Sequence, residues 1–116
     1  MSVIDSLIKA PRGHKLMTKE LQKKLPELGA TDGGPISERM VYAKYFSPYT
    51  GWYWYGMEYD QESGDFFGYV IGKEQELGYF SLAELESMGA VVERDLHFSP
   101  RPLKDCYRVD GARLAS

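Results

Sequence analysis

Acidic side chains and one histidine are the residues of this sequence whose chemistry could support catalysis or metal binding. Glu58 and Asp60 stand two positions apart at the end of a strand-like run, so both could point the same way. Further along, Glu93, Asp95 and His97 alternate on a predicted strand and would share one face. Carboxylates with a histidine can bind a divalent cation or transfer protons. A small metal-dependent hydrolase is therefore an alternative, built on Glu58, Asp60, Glu76, Asp95 and His97.

The spacing of these residues does not favour such a site. It matches neither a zinc motif nor an EF-hand loop, and a solvated strand face is the better interpretation. Cys106 is the single cysteine, so no internal disulfide can form, and the sequence shows no clear partner base for its thiol; His97 could be near in space, but nothing requires it. We predict no catalytic residue, no metal ligand and no cofactor. The sequence leaves open whether the five acidic and histidine residues converge in space.

Residues 52–59 form the most aromatic segment, with both tryptophans and three of the nine tyrosines. Turn signals on either side predict that this segment is a central strand. Strict alternation would divide its side chains between two faces, with Trp52, Trp54, Gly56 and Glu58 on one and Tyr53, Tyr55, Met57 and Tyr59 on the other.

Three interpretations of the aromatic run remain open. Its rings could fill the core, anchor a protein partner, or stack on the bases of single-stranded nucleic acid. Base stacking needs surrounding cations, and the acidic residues nearby oppose the one neighbouring lysine, Lys44. A nucleic-acid binder would also use the basic stripe of Lys15, Lys19 and Lys23. Protein binding ranks higher, and its candidate residues are Trp52, Tyr53, Trp54, Tyr55, Glu58 and Asp60.

The surrounding pattern predicts the elements that position these residues. Thr18 is a predicted helix N-cap, and Ser81 with Glu84 forms a capping box for a second short helix that ends at Gly89. Strands are predicted at 40–46, 52–59, 66–71, 77–80 and 91–98. Glycines 68, 72 and 78 lack phosphate-loop spacing and indicate strand ends, bulges or close packing.

These elements predict an α+β fold. Four to five antiparallel strands would form a sheet, with two or three short helices packed mainly on one face and the other face open to a partner. Residues 1–14 would be an arm or short helix, 15–105 a single domain, and 106–116 a tail.

Charge and hydropathy set the expected environment. Net charge is −3, which does not suit an extended phosphate-binding surface. The sequence contains neither a secretory signal nor an apolar stretch of the roughly 20 residues that span a bilayer. We predict a cytoplasmic protein that makes no membrane contact.

Four blocks of the sequence are similar to a known family. They are Leu16-Met17-Thr18-Lys19-Glu20-Leu21 with Leu25-Pro26; residues 41–59 with their Trp-x-Trp-Tyr core; Phe66-Phe67-Gly68-Tyr69-Val70-Ile71-Gly72 continuing to Glu76-Leu77-Gly78-Tyr79-Phe80-Ser81-Leu82; and Glu93-Arg94-Asp95-Leu96-His97-Phe98 with Pro102-Leu103. Together they resemble domain-of-unknown-function family 2958, carried by plasmids, integrative elements and phages. The resemblance implies no activity. It implies a genetic context near genes for DNA processing and for evading host defences.

From the residues and this context we predict a non-enzymatic protein-interaction module of a mobile element. Its partner would be a host defence or DNA-processing protein, which the module counteracts or modulates. The hydrolase and the single-strand binder remain alternatives. The sequence does not identify the partner, the oligomeric state or the exposed sheet face.

Overall fold

The sheet of this protein is built from consecutive hairpins. The computed structural model describes residues 3–10, 13–31 and 33–110, with side chains for all of these except residues 4 and 107–110. Its helices are α1 (Val3–Lys9), α2 (Lys19–Lys24), α3 (Leu82–Ser87) and α4 (Leu103–Asp110), with 3-10 helices at Ile36–Glu38 and Gly89–Val91. Its strands are β1 (Met40–Val41), β2 (Ala43–Phe46), β3 (Tyr53–Tyr59), β4 (Asp65–Ile71), β5 (Gln75–Ser81), β6 (Glu93–Arg94) and β7 (Arg101–Pro102).

Five strands form the main antiparallel sheet, in the order β5-β4-β3-β2-β6. The meander β2 to β5 confirms the predicted hairpins, and β6 pairs with the outer side of β2. The aromatic strand β3 is the central strand. Strands β1 and β7 make a separate two-stranded sheet. The predicted α+β architecture, an antiparallel sheet with short helices, is therefore confirmed.

Two predicted strands are shorter than the sequence suggested. The run 40–46 is interrupted at Tyr42, whose N–H donates to the Gly56 carbonyl (2.9 Å). On either side of this residue the chain joins different sheets, because β1 pairs with β7 and β2 belongs to the main sheet. The run 91–98 keeps only the two residues of β6. A 3-10 helix takes the start of that run, and a turn takes its end.

Local signals set the helix boundaries as predicted. The Thr18 hydroxyl accepts from the Leu21 N–H (3.1 Å), and the Ser81 hydroxyl accepts from the Glu84 N–H (3.0 Å). Gly89 follows α3 with a φ of 53°, in the left-handed region where glycine ends helices most easily.

A bulge in β3 changes the predicted division of its side chains. The pairing of β3 with β4 shifts between Gly56 and Glu58, so the strict alternation of the sequence fails there. Glu58 lies opposite Phe67 and Tyr59 opposite Phe66. Glu58 therefore joins the face of Tyr53 and Tyr55, and Tyr59 joins the tryptophan face.

The first core lies on the tryptophan face, under α2 and α3. Buried members include Leu21, Trp54, Phe66 and Leu85. Tyr45 is fully buried among them, and its hydroxyl donates to the Leu16 carbonyl (2.7 Å), which ties the segment before α2 to the sheet. Burial raises the pKa of Tyr45 far above its ordinary value, so this hydroxyl stays a donor.

A second core covers the tyrosine face, so both faces of the central strand are buried, although the sequence predicts that one sheet face, not specified, stays open to a partner. Its buried members include Tyr55, Tyr69, Leu103 and Cys106. The apolar side of α4 supplies two of them, so residues 106–110, assigned to a tail in the sequence analysis, continue a helix that packs on the sheet. Residues 111–116 lie outside the described residues.

Candidate protein-binding surface

The central position of β3 divides the predicted aromatic site. Trp54 and Tyr55 are buried, 5% and 0% exposed, one in each core. Trp52 is half-buried, with its ring against the backbone of Gly72. Tyr53 is also half-buried, and its ring stacks parallel to that of Tyr55 at 6.0 Å. Only the start of the aromatic run can therefore contact a partner.

The two acidic members of the predicted site hold loops of the protein itself. The Glu58 carboxylate is buried and accepts from the N–H groups of Gly29 (2.8 Å) and Thr31 (2.9 Å) and from the Thr31 hydroxyl. Burial would raise the pKa of Glu58, but these hydrogen bonds and the charge of Arg39 lower it below the ordinary value. Asp60 accepts from the Glu62 N–H and the Ser63 hydroxyl within its own turn.

The fold does not bring together the residues of the hydrolase alternative. Glu76 lies on β5 and Asp95 follows β6, at opposite edges of the five-stranded sheet. Four strand spacings separate these edges, roughly 19 Å. In the part of the chain that the structure describes, no group of three or more His, Cys, Asp or Glu could hold a metal ion. Cys106 is buried, with its Sγ 3.8 Å from the Pro102 carbonyl oxygen.

A tightly held turn follows β6 at residues 95–98. The Asp95 N–H donates to the Lys44 carbonyl (3.0 Å), and the Phe98 N–H donates to the Asp95 carbonyl (3.3 Å). The Asp95 carboxylate accepts from the His97 N–H (3.0 Å) and pairs with Lys44 Nζ (3.5 Å). These contacts fix both ends of the turn, and Leu96 stands outward at its tip, 55% exposed.

A hollow lies beside Leu96, over the accessible end of the aromatic strand. The Lys44 ammonium sits above the rings of Tyr53 (5.3 Å) and Phe46 (5.8 Å). On the other side, Arg94 is fixed because its N–H donates to His14 Nε2 (3.0 Å) and its Nε donates to the Lys15 carbonyl (2.9 Å). The residues that line this hollow define the Leu96 surface: His14, Lys44, Phe46, Tyr53, Glu93, Arg94, Asp95, Leu96 and His97.

Of this surface, only Tyr53 is among the binding residues that the sequence predicts. Alternating polar and apolar residues predict a strand over 95–98, where the structure has a turn. A signal for the turn was present in Asp95. An aspartate whose carboxylate accepts from the N–H two residues later forms an Asx turn, and here that N–H belongs to His97.

A family model described as a protein of unknown function, DUF2958, matches residues 16–112. The chain belongs to this family. The match begins just before α2 and runs through α4, so it contains the sheet, the buried residues of both cores and the lining of the Leu96 surface except His14. No curated protein and no solved structure shows significant similarity to this DUF2958 chain. Among the described residues, no helix has the length and apolar character needed to cross a membrane.

Proposed function

We propose that this DUF2958 protein is a non-enzymatic protein-interaction module that docks a protein partner on the Leu96 surface. The observation that carries the proposal is the pre-formed turn with an exposed leucine at its tip. An apolar anchor that is already rigid loses little conformational entropy on binding. Arg94 and Tyr53 next to it are of the residue types that dominate interface hot spots.

The alternatives have less support from the geometry. A base-stacking platform needs accessible rings, and Trp54 and Tyr55 are buried. The basic stripe is exposed, but Lys19 and Lys23 lie on α2, and only Lys15, whose carbonyl accepts from Arg94, is next to the Leu96 surface. The carboxylates of the hydrolase alternative are held at separate sites.

The partner in this proposal is a host defence or DNA-processing protein, and the encounter takes place in the cytoplasm. Support comes from the mobile-element context that the family resemblance implies. The net charge of −3 belongs to the chain as a whole and would accelerate the encounter with a basic partner, whereas the Leu96 surface itself carries both signs of charge.

The test is capture from host lysate with tagged wild-type protein and a Leu96→Ala variant, followed by titration of the purified captured protein. Leu96 is exposed, so the variant should fold normally, and we expect binding at least roughly tenfold weaker, as for an interface hot spot. Leu28→Ala is the matched control, since Leu28 is another exposed leucine, 37% accessible, outside the Leu96 surface. Equal affinity of all three proteins would remove the Leu96 surface from the proposal.

Two further measurements separate the alternatives. Thermal stabilisation by a divalent cation would favour the hydrolase, because a ligand that binds only the folded state raises its stability. Binding of single-stranded oligonucleotides that falls steeply with salt would favour the nucleic-acid binder. Either result, with no protein captured, would contradict the interaction module.

A further inference from the structure

The two edges of the main sheet differ in length. At one edge, β6 contributes two residues, which leaves little backbone for another strand to pair with. At the other edge, β5 contributes seven residues and pairs only with β4. The pairing of β5 with β4 is continuous from Ser81 to Gln75, so no bulge bends this edge away.

The hydrogen-bonding pattern shows which peptide groups of β5 point outward. At the two ends of the hairpin, the Leu82 N–H donates to the Gly64 carbonyl (2.8 Å) and the Gly72 N–H donates to the Glu74 carbonyl (3.0 Å). Because bonded and non-bonded pairs alternate along an antiparallel ladder, the even-numbered residues of β5 bond to β4. The odd-numbered residues then direct their N–H and C=O groups to the open edge.

Leu77 and Tyr79 occupy the middle of that open edge. By the same alternation, the N–H and C=O groups of these two residues do not bond to β4. The Tyr79 side chain is 71% exposed, with its ring edge-on to Phe67 at 5.1 Å. Natural sheets protect such edges with lysine, proline, a bulge or a covering element. Residues 75–81 contain no lysine or proline. No other part of the chain covers Gly78 among the described residues, because a Cβ added there would meet open space.

We propose that a second copy of this chain pairs with β5 in antiparallel fashion, with the twofold axis at Gly78. Leu77 then lies opposite Tyr79 of the second copy, and their outward peptide groups form the hydrogen bonds of a continuous sheet of ten strands. Gly78 faces Gly78 at the axis. A closed twofold dimer uses the same edge of both copies and leaves no long edge free.

The positions of the charged side chains on β5 favour this register for two identical strands. With the axis at Gly78, Glu76 lies opposite Phe80 of the second copy, so no two carboxylates are directly opposed. An axis at Glu76 would instead place two glutamates directly opposite each other, which is unfavourable. The pairing goes beyond the proposed function, because the Leu96 surface lies at the other edge of the sheet.

The first experiment measures the mass of the full chain by light scattering and sedimentation over a range of concentrations. We expect a monomer–dimer equilibrium for the wild type and a monomer for Tyr79→Pro. Proline removes the outward N–H of Tyr79 but no bond to β4, so the circular dichroism spectrum should be unchanged. A wild type that stays monomeric throughout, or a dimer that persists in folded Tyr79→Pro, overturns the proposal.

A second variant tests the register and does not depend on the proline variant being folded. Gly78→Cys places two thiols on directly opposed, non-hydrogen-bonded positions, where Cα atoms lie about 4.5 Å apart and a disulfide can form. We expect mild oxidation to give a covalent dimer. Ser63→Cys, an exposed turn position, is the matched control and should give none under the same conditions. A failure of Gly78→Cys to cross-link faster than Ser63→Cys overturns the pairing at Gly78.

Discussion

The backbone N–H of Thr31 donates to the Glu58 carboxylate across 2.9 Å, joining the loop after α2 to the central strand. The other carboxylate oxygen accepts from the Gly29 N–H (2.8 Å). Glu58 belongs to both sites predicted from the sequence, the protein-binding surface and the hydrolase alternative. The bulge in β3 turns it toward this loop, and the loop covers it, so the carboxylate serves as an anchor within the protein.

Replacing Glu58 should therefore lower stability. Glu58→Gln keeps the shape of the side chain but turns one acceptor into an NH2 group that faces a donor. We expect the free energy of unfolding to fall by about 1–3 kcal/mol, the cost of a buried group left without its hydrogen bond. Urea denaturation measures this change. Glu62→Gln, at an exposed turn, is the control and should stay within about 0.5 kcal/mol of wild type; equal values for both variants would contradict the anchor.

The contribution of Glu58 to the free energy of unfolding should also depend on pH. The pKa of Glu58 is lowered by folding, so its contribution is fully present above the pKa of an unfolded glutamate, about 4.3. That contribution is lost as pH falls through the lower pKa of the folded state. The stability curves of wild type and Glu58→Gln should therefore converge on acidification. If the free energies of unfolding of wild type and Glu58→Gln differ by the same amount from about pH 7 to about pH 3, the charge of Glu58 is not involved.

Two glycines paired across β4 and β5 should respond differently to alanine. A Cβ at Gly68 would lie 1.9 Å from the Tyr55 carbonyl oxygen, whereas one at Gly78 would meet nothing within 4 Å. We expect Gly68→Ala to cost more than about 3 kcal/mol, because the obstacle is backbone, and Gly78→Ala to cost almost nothing. Thermal unfolding of the two variants provides the comparison. Similar melting temperatures would contradict the close strand approach at Gly68.

Cys106 should report on the packing of α4. Its thiol is buried against the sheet, so a thiol-reactive dye should label the native protein only when the helix opens. Leu103→Ala removes the neighbouring fully buried side chain, which typically costs about 2–5 kcal/mol. We expect labelling at least roughly tenfold faster in this variant, since about 1.4 kcal/mol changes an equilibrium tenfold.

The control for this measurement is Leu96→Ala, which removes an exposed leucine and should leave the labelling rate of Cys106 unchanged. Immediate labelling of the wild-type protein under native conditions would show that α4 does not cover the sheet.

Local sequence patterns suffice to predict the short-range elements of this protein. The hydroxyls of Thr18 and Ser81 fix two helix starts, Gly89 ends one helix, and the aromatic run forms a strand. Each of these depends on groups only a few residues apart, so the pattern of residue types suffices to predict it. The antiparallel order of β2 to β5 followed from the short connections between them.

The packing of the whole chain sets which side chains are accessible and which carboxylates lie close together. The bulge after Gly56 reverses the face of Glu58, because β3 carries one residue more than β4 at that point, and the sequence gives no signal for it. The packing of α4 hides Tyr55, and the positions of β5 and β6 at opposite edges separate Glu76 from Asp95. The turn that exposes Leu96 combines the local bond of Asp95 to the His97 N–H with the contacts of Asp95 to Lys44, about fifty residues earlier in the chain. Such long-range contacts depend on the packing of the whole chain, and for that reason local patterns did not reveal them.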